Sequence, residues 1–123
     1  MAESDNEPIE TKKKIPQLYE TENVPLEEKI IHQKYRIEGR GFYWFIAELD
    51  TDGKLAFGYA NLDDEEMAEW GYISIPELLS NGAVLDDDWK PCPFFLAKRR
   101  ILKERDENSQ AESWSSFESR KTP

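Results

Sequence analysis

The side chains of this chain that are suited to nucleophilic or metal chemistry are few and far apart. His32 is the single histidine and Cys92 the single cysteine of 123 residues. A nucleophilic cysteine or a zinc site needs several such groups at matched spacing. We therefore interpret His32 as a structural histidine and Cys92 as a small, buried or half-buried apolar residue. An enzyme that uses either residue together with carboxylates stays open as the third hypothesis.

Carboxylates are abundant, and two runs of them lie on either side of a predicted strand and helix. Hard cations such as Ca²⁺ prefer carboxylate oxygens. Neither run has the alternating ligand spacing and the glycine of an EF-hand loop. We therefore expect acidic, solvated loops with no metal and no cofactor. The first run is Asp63, Asp64, Glu65 and Glu66, and the second is Asp86, Asp87 and Asp88.

The net charge of −10 lies almost entirely in the middle of the chain. Residues 16–99 hold seventeen acidic and eight basic residues, whereas the two ends are close to neutral. Such a field repels a phosphate backbone, so direct binding to nucleic acid is disfavoured. Solubility is the plainest explanation of the charge. A basic partner, or mimicry of nucleic acid by the chain itself, are the two sharper ones.

Fifteen aromatic residues supply much of the apolar surface of this short chain. Aromatic residues in strands usually belong to a core. Four tryptophans nevertheless exceed what so small a core needs, so we expect some of them on a surface that binds a protein partner. The candidate partner-binding residues are Trp44, Trp70, Tyr72 and Trp89, together with the acidic loop Asp63, Asp64, Glu65 and Glu66.

The local patterns predict an α+β fold: an antiparallel sheet of about four to five strands with one or two short helices. Strands are expected at residues 29–36, 42–49, 55–60 and 69–73, with an Asp-Gly hairpin turn at Asp52 and Gly53. Both faces of strand 42–49 should be covered, because its residues are apolar on both parities up to Glu48. Ser74 and Glu77 fit a capping box for a short helix that ends near Gly82. Residues 61–67 are expected to form a loop, 89–95 to be extended and 96–104 to be helical.

The composition predicts one domain with disordered ends. Residues 1–14 are a predicted disordered tail, 15–103 a single domain, and 104–123 a mostly disordered tail that contains a Trp114-x-x-Phe117 pair. Leu18 and Tyr19 are expected to anchor the start of the domain to its core. The N-terminus is acidic and has no apolar run, and no stretch is long enough to cross a bilayer, so a cytoplasmic protein without membrane contact is predicted.

Several short motifs follow one another along about residues 16–97. They are Leu18-Tyr19-x-Thr21-Glu22, Lys29-Ile30-Ile31-His32-x-Lys34, Trp44-x-x-x-Glu48-Leu49-Asp50, Gly53, Phe57-Gly58, Glu69-Trp70-Gly71-Tyr72-Ile73-Ser74, Glu77-Leu78 and Lys90-Pro91-x-Pro93. In order and spacing these motifs resemble a family of small bacterial single-domain proteins that is filed as a domain of unknown function, with genes often found on plasmids and other mobile elements. The resemblance implies a compact α+β fold in a bacterial, cytoplasmic protein. It carries over no activity, ligand or catalytic residue.

These observations favour a small, non-enzymatic module that binds or regulates an unknown protein partner. The alternative is an acidic mimic of nucleic acid that inhibits a DNA-binding protein, such as a restriction or defence factor. The two hypotheses differ in geometry, because a mimic must place its acids along one face at the spacing of phosphates. The sequence leaves the oligomeric state open.

Overall fold

A computed structural model describes residues 15–104 of the chain. Five antiparallel strands form the main sheet, in the order 69–74, 55–62, 42–49, 33–37 and 84–85, and residues 30–31 pair with 92–93 in a second, two-stranded sheet. The predicted α+β fold is confirmed. The predictions for residues 1–14 and for 105–123, including the Trp114 and Phe117 pair, lie outside the described residues. The elements are β1 (Ile30–Ile31), β2 (Gln33–Ile37), β3 (Phe42–Leu49), β4 (Leu55–Leu62), β5 (Glu69–Ser74), α1 (Ile75–Ser80), β6 (Val84–Leu85), β7 (Cys92–Pro93) and α2 (residues 94–104).

The sheet is covered by one helix on each face. On one face, Ile75 and Leu78 of α1 pack among the side chains of β3, β4 and β5. On the other face, Ala97 and Ile101 of α2 pack on a second cluster that includes Phe45. All side chains from Tyr43 to Glu48 are buried. The prediction that both faces of this strand are covered is therefore confirmed.

A β-bulge at Ala47 changes which face the end of β3 presents. Ile46 pairs with Gly58 and Glu48 pairs with Phe57, so one residue of β3 has no partner in β4. An extra residue of this kind reverses the alternation of side chains beyond it. Leu49 consequently continues the α1-side cluster. Glu48 instead shares the α2 side with Phe57, which stacks on Trp70.

Local signals place the turns and the cap of α1 as expected. Gly53 adopts a φ of +74° in the hairpin turn between β3 and β4. The Ser74 hydroxyl accepts a hydrogen bond from the backbone N–H of Glu77 (3.3 Å), which confirms Ser74 as the N-cap. At the other end the N–H of Ala83 bonds to the carbonyl of Leu78 (3.0 Å). Gly82 between them has a φ of +93°, as in a Schellman motif.

Several element boundaries differ from the predictions. The predicted strand 29–36 is divided at His32, whose N–H still bonds to the carbonyl of Ile46 (2.9 Å) while the residues before it pair with β7. The strand β4 continues through Asn61 to Leu62, into the predicted loop. Only Cys92–Pro93 of the predicted extended stretch is a strand, since α2 already begins at residue 94.

Candidate functional site

A buried carboxylate, Glu48, ties the start of the domain to the sheet. Its side chain is on the α2 side because of the bulge, and only 3% of the residue is exposed. Its Oε1 accepts the backbone N–H of Tyr19 (2.8 Å), and its Oε2 accepts the N–H of Thr21 (3.1 Å) and the Thr21 hydroxyl. A carboxylate buried in this way needs such donors, because its desolvation is otherwise very costly. Glu48 therefore fixes the loop that contains both residues.

Lys29 supplies the opposite charge at the same place and is also buried. Its Nζ lies 3.9 Å from Oε2 of Glu48 and donates to the hydroxyl (2.8 Å) and the carbonyl of Thr21. The ammonium also lies 6.0 Å from the centre of the Phe57 ring, a favourable cation–π position. Thr21 therefore forms hydrogen bonds with both charged side chains.

A cavity of about 460 Å³ opens beside this ion pair, and we call it the Glu48 cavity. Three aromatic rings, from Tyr19, Phe57 and Tyr72, line it together with Glu22 and Leu26. Tyr19 has a φ of +72°, a left-handed conformation that is uncommon for residues other than glycine. The N–H bond to Glu48 holds this backbone in place, so its strain is located at the rim of a cavity, as is common at functional sites.

Two tyrosines on the rim contact each other directly. The Tyr72 hydroxyl donates to the Tyr19 hydroxyl (2.9 Å), and the ring centres are 6.5 Å apart. This hydrogen bond raises the pKa of Tyr72, burial raises it further, and the charges of Glu48 and Glu22 contribute less. Both carboxylates line the same cavity as the two tyrosines.

The outer edge of β5, next to the cavity, has no strand partner within residues 15–104. The N–H of Ile75 bonds to the carbonyl of Lys54 (2.8 Å), which sets the alternation of hydrogen bonds along the β4–β5 ladder. By this alternation Gly71 and Ile73 direct their backbone groups towards β4. Trp70 and Tyr72 direct theirs away from the sheet, so the edge presents N–H and C=O groups that pair with no strand among residues 15–104.

The structure brings three of the four predicted aromatic residues to one face. Trp70 and Tyr72 are both packed against Phe57, with ring centres 5.6 Å away in each case. Trp89 lies on the same side against Phe45 (5.4 Å), and its indole N–H donates to the carbonyl of Ile31 (3.0 Å). Of these three residues only Tyr72, at 55%, is largely exposed.

Trp44 lies apart from the other candidate residues. It is 9% exposed and belongs to the cluster under α1, on the opposite face of the sheet from Trp70. Successive side chains of a strand alternate between faces, and only the register decides which face each one occupies. In this fold Trp44 contributes to the core, and a partner that contacts Tyr72 does not reach it.

The acidic loop is fixed by a polar network of its own. Lys98 of α2 donates to Oε1 of Glu65 (2.7 Å) and to the hydroxyl of Tyr59 (3.2 Å). The fully buried Asn61 donates to Oε2 of Glu65 (3.0 Å) and to the hydroxyl of Tyr43 (3.3 Å), and it accepts the N–H of Asp64 (3.0 Å). These contacts explain why Glu65 anchors the loop to α2. The other acids of the loop, Asp63, Asp64 and Glu66, have exposed side chains.

The two acidic runs lie apart on the main sheet. The run 63–66 follows the end of β4, where Asp63 lies beside Gly41 in the turn before β3. The run 86–88 follows the edge strand β6, and the N–H of Asp86 bonds to the carbonyl of Lys34 near the start of β2, towards the other end of the strands. Asp86 is in addition 3.8 Å from the Nζ of Lys34. This separation gives no support to a single acidic face with the spacing of a phosphate backbone.

His32 and Cys92 are not activated by their surroundings. Burial lowers the pKa of His32 and raises the pKa of Cys92, so both are neutral near pH 7. Cys92 pairs with Ile31 and packs in the α2-side core, where it serves as a small apolar residue. Within residues 15–104, no three histidine, cysteine or acidic side chains are grouped so that they could hold a metal ion.

Comparisons with protein-family models, with curated proteins and with solved structures find no match for this chain. The resemblance to the bacterial family of unknown function therefore stays a prediction. None of the helices within residues 15–104 combines the length and apolar character that crossing a membrane requires.

The sequence patterns do not single out the central residues of the site as functional. Glu48 stands in them as the first charged residue after an apolar run and Lys29 as the start of a strand, and each also belongs to one of the resemblance motifs. Tyr19 is expected from the sequence to anchor the start of the domain to its core, yet the residue is 60% exposed and its backbone N–H makes the contact with Glu48. A glutamate at the end of a doubly buried strand is a usable signal, because burying it requires donors from elsewhere in the chain.

Proposed function

We propose that this chain is a non-enzymatic protein-binding module in which β5 accepts an extended, basic segment of a partner protein as an additional strand. The observation that carries the proposal is the outer edge of β5, where Trp70 and Tyr72 direct backbone donors and acceptors away from the sheet. Open strand edges are templates for strand addition, in which backbone hydrogen bonds supply affinity and side-chain pockets supply specificity.

The two edges of the sheet differ in their suitability for this role. The strand β5 has six residues, and it contains no proline or lysine to discourage pairing. The strand β6, at the other edge, has only two residues, Val84 and Leu85. A short strand offers few backbone groups, so β6 is a poor template.

The charge of the chain selects the chemistry of the partner. Residues 16–99 carry nine more acidic than basic side chains, so the field around β5 attracts a basic segment and accelerates its encounter. The same field repels a second copy of this chain. A basic protein segment is also consistent with the sequence-based expectation of a protein partner. We propose that the chain meets this partner in the cytoplasm.

The proposal is tested by hydrogen exchange measured by NMR on the full-length, ¹⁵N-labelled chain. The probe is an acetylated, amidated peptide in which valine, threonine and lysine alternate, with a length of about eight residues, as in a typical strand. We expect the peptide to slow exchange at the amides of Trp70 and Tyr72 and to leave those of Val84 and Leu85 unchanged. The same peptide with glutamate in place of lysine should bind at least about tenfold more weakly at low salt.

Gly71 provides a matched pair of variants. A Cβ at this position meets no other atom within 4 Å, so substitution is tolerated sterically. We expect G71K to weaken binding of the basic peptide through repulsion and G71A to leave it unchanged.

Three results contradict the proposal. The first is unchanged exchange at Trp70 and Tyr72 in the presence of the basic peptide. The second is protection of the Trp70 and Tyr72 amides that rises with the concentration of the chain without peptide. That result would mean that a second copy of this chain binds the edge of β5. The third is protection in the free chain at every concentration, which assigns the edge to a segment of this chain outside residues 15–104.

A further inference from the structure

We infer that the Glu48 cavity receives a cationic side chain, lysine or arginine, from the segment that adds to β5. This inference rests on the proposed function and names the recognition that the added strand brings with it. Tyr72 connects the two features, because it is a residue of β5 and also lines the cavity. A strand on the outer edge therefore places side chains beside the cavity.

The Cβ–Cβ distances in an antiparallel sheet allow a side chain of the added strand to reach the cavity. A residue directly opposite Tyr72 on the added strand has its Cβ about 4.5–5.5 Å away, and its diagonal neighbours are at about 7–8 Å, which long side chains span. Tyr72 has its side chain on the α2 side with Phe57, and the cavity is on that side. The opposite residue of the added strand directs its side chain to the same side.

The charges that line the cavity favour a cation. Glu22 and Glu48 contribute two carboxylates and Lys29 one ammonium, so the lining is negative by one charge. Lys29 is already hydrogen-bonded to Thr21 and paired with Glu48, and its charge is largely compensated. Glu22 has an exposed side chain and remains available to an incoming cation.

The aromatic and aliphatic parts of the lining suit the rest of such a side chain. Tyr19 and Tyr72 meet edge to face at 61°, so one ring presents its face near the edge of the other. A cation over a tyrosine face is attracted by the ring quadrupole, and guanidinium groups also stack on such rings. Val24 and Leu26 offer apolar surface to the methylene groups of the stem. An apolar ligand in the cavity makes no ion pair with the carboxylate of Glu22.

The test measures fluorescence anisotropy with three labelled versions of the probe peptide and the full-length chain. The versions differ only opposite Tyr72, where they have lysine, arginine or norleucine. Norleucine keeps the stem and removes the charge. We expect lysine and arginine to bind about 5- to 10-fold more tightly than norleucine. The E22Q variant should bring these affinities to within about twofold of each other, whereas D87N, which removes one carboxylate at the opposite edge, should leave the ratio intact.

The outcomes separate this inference from the function on which it depends. Equal affinity for the norleucine and lysine versions, with Trp70 and Tyr72 still protected from exchange, overturns the cationic pocket and leaves strand addition standing. An unchanged preference for lysine in E22Q also overturns the pocket. Failure of all three peptides to protect the β5 amides overturns strand addition itself.

Discussion

Two lysine–glutamate pairs lie on the same side of the sheet, near opposite ends of β4, and they differ in how they are built. Lys98 and Glu65 are in direct contact at 2.7 Å, and the Glu65 side chain is 46% exposed. Lys29 and Glu48 are 3.9 Å apart, and each side chain is about 95% buried. The exposed pair is completed by the side chains of Tyr59 and Asn61, which bond to Lys98 and Glu65 respectively. The buried pair depends on backbone donors of a distant loop, so it organises that loop and the cavity beside it.

The largest expected effect is that of Glu48→Ala. This change leaves Lys29 buried without its counter-charge and removes the acceptor of two backbone N–H groups, at an expected cost of about 3–5 kcal/mol in the free energy of unfolding. Urea denaturation measures the loss. The control Glu66→Ala removes an exposed glutamate and should change stability by less than about 0.5 kcal/mol. A loss of similar size in both variants contradicts the structural role assigned to Glu48.

A smaller loss is expected for Asn61→Ala at the other end of β4. The substitution removes three hydrogen bonds at a fully buried position, and we expect about 1–3 kcal/mol of destabilisation in the same assay. The exchange rate of the Asp64 amide should rise, because its N–H bonds to the Asn61 side chain. A stability equal to that of the wild type shows that water replaces the side chain and that this network is not structural.

The smallest effect is expected for Lys98→Met. The partner of Lys98 is half exposed, so the loss near pH 7 is about 1 kcal/mol or less. Burial alone lowers the pKa of Lys98, but the hydrogen bonds to Glu65 and Tyr59 outweigh it and raise the pKa above its usual 10.5. The contribution is therefore fully present below pH 10.5 and is lost as the pH rises through the pKa of the folded state.

The pH dependence of this variant is measured as the difference in unfolding free energy from the wild type between pH 7 and pH 11. Lys103→Met, at an exposed position of α2, is the control. The difference should be constant at neutral pH and shrink at the alkaline end. A difference that grows with pH is inconsistent with a raised pKa.

The parts of the fold that were predicted correctly depend on neighbours in sequence. The Asp-Gly turn at Gly53, the Ser74 cap and the apolar run of β3 are all readable in windows of a few residues. The division of the first strand at His32 was not readable, because it depends on pairing with Cys92–Pro93, far along the chain. Tertiary pairing of this kind overrides local propensity.

The candidate site was predicted only in part for a similar reason. The sequence predicts Tyr72 as a partner-binding residue, and Tyr72 lies at the rim of the cavity. The same criterion predicts Trp44, which is in the core, since composition does not reveal which face a strand residue occupies. Glu48 was missed because its direction depends on a bulge, for which the sequence of β3 carries no recognisable signal.

The bulge at Ala47 decides which layer receives the carboxylate of Glu48. If Ala47 were paired with Phe57, Glu48 would lie opposite Ala56 and would face the apolar α1 layer. Deleting Ala47, by contrast, leaves Glu48 opposite Phe57 and on the α2 side, because regular alternation from Ile46 places the next residue there. Ala47 is therefore a position at which β3 can lose one residue, during evolution or engineering, without exchanging the faces of the residues that follow.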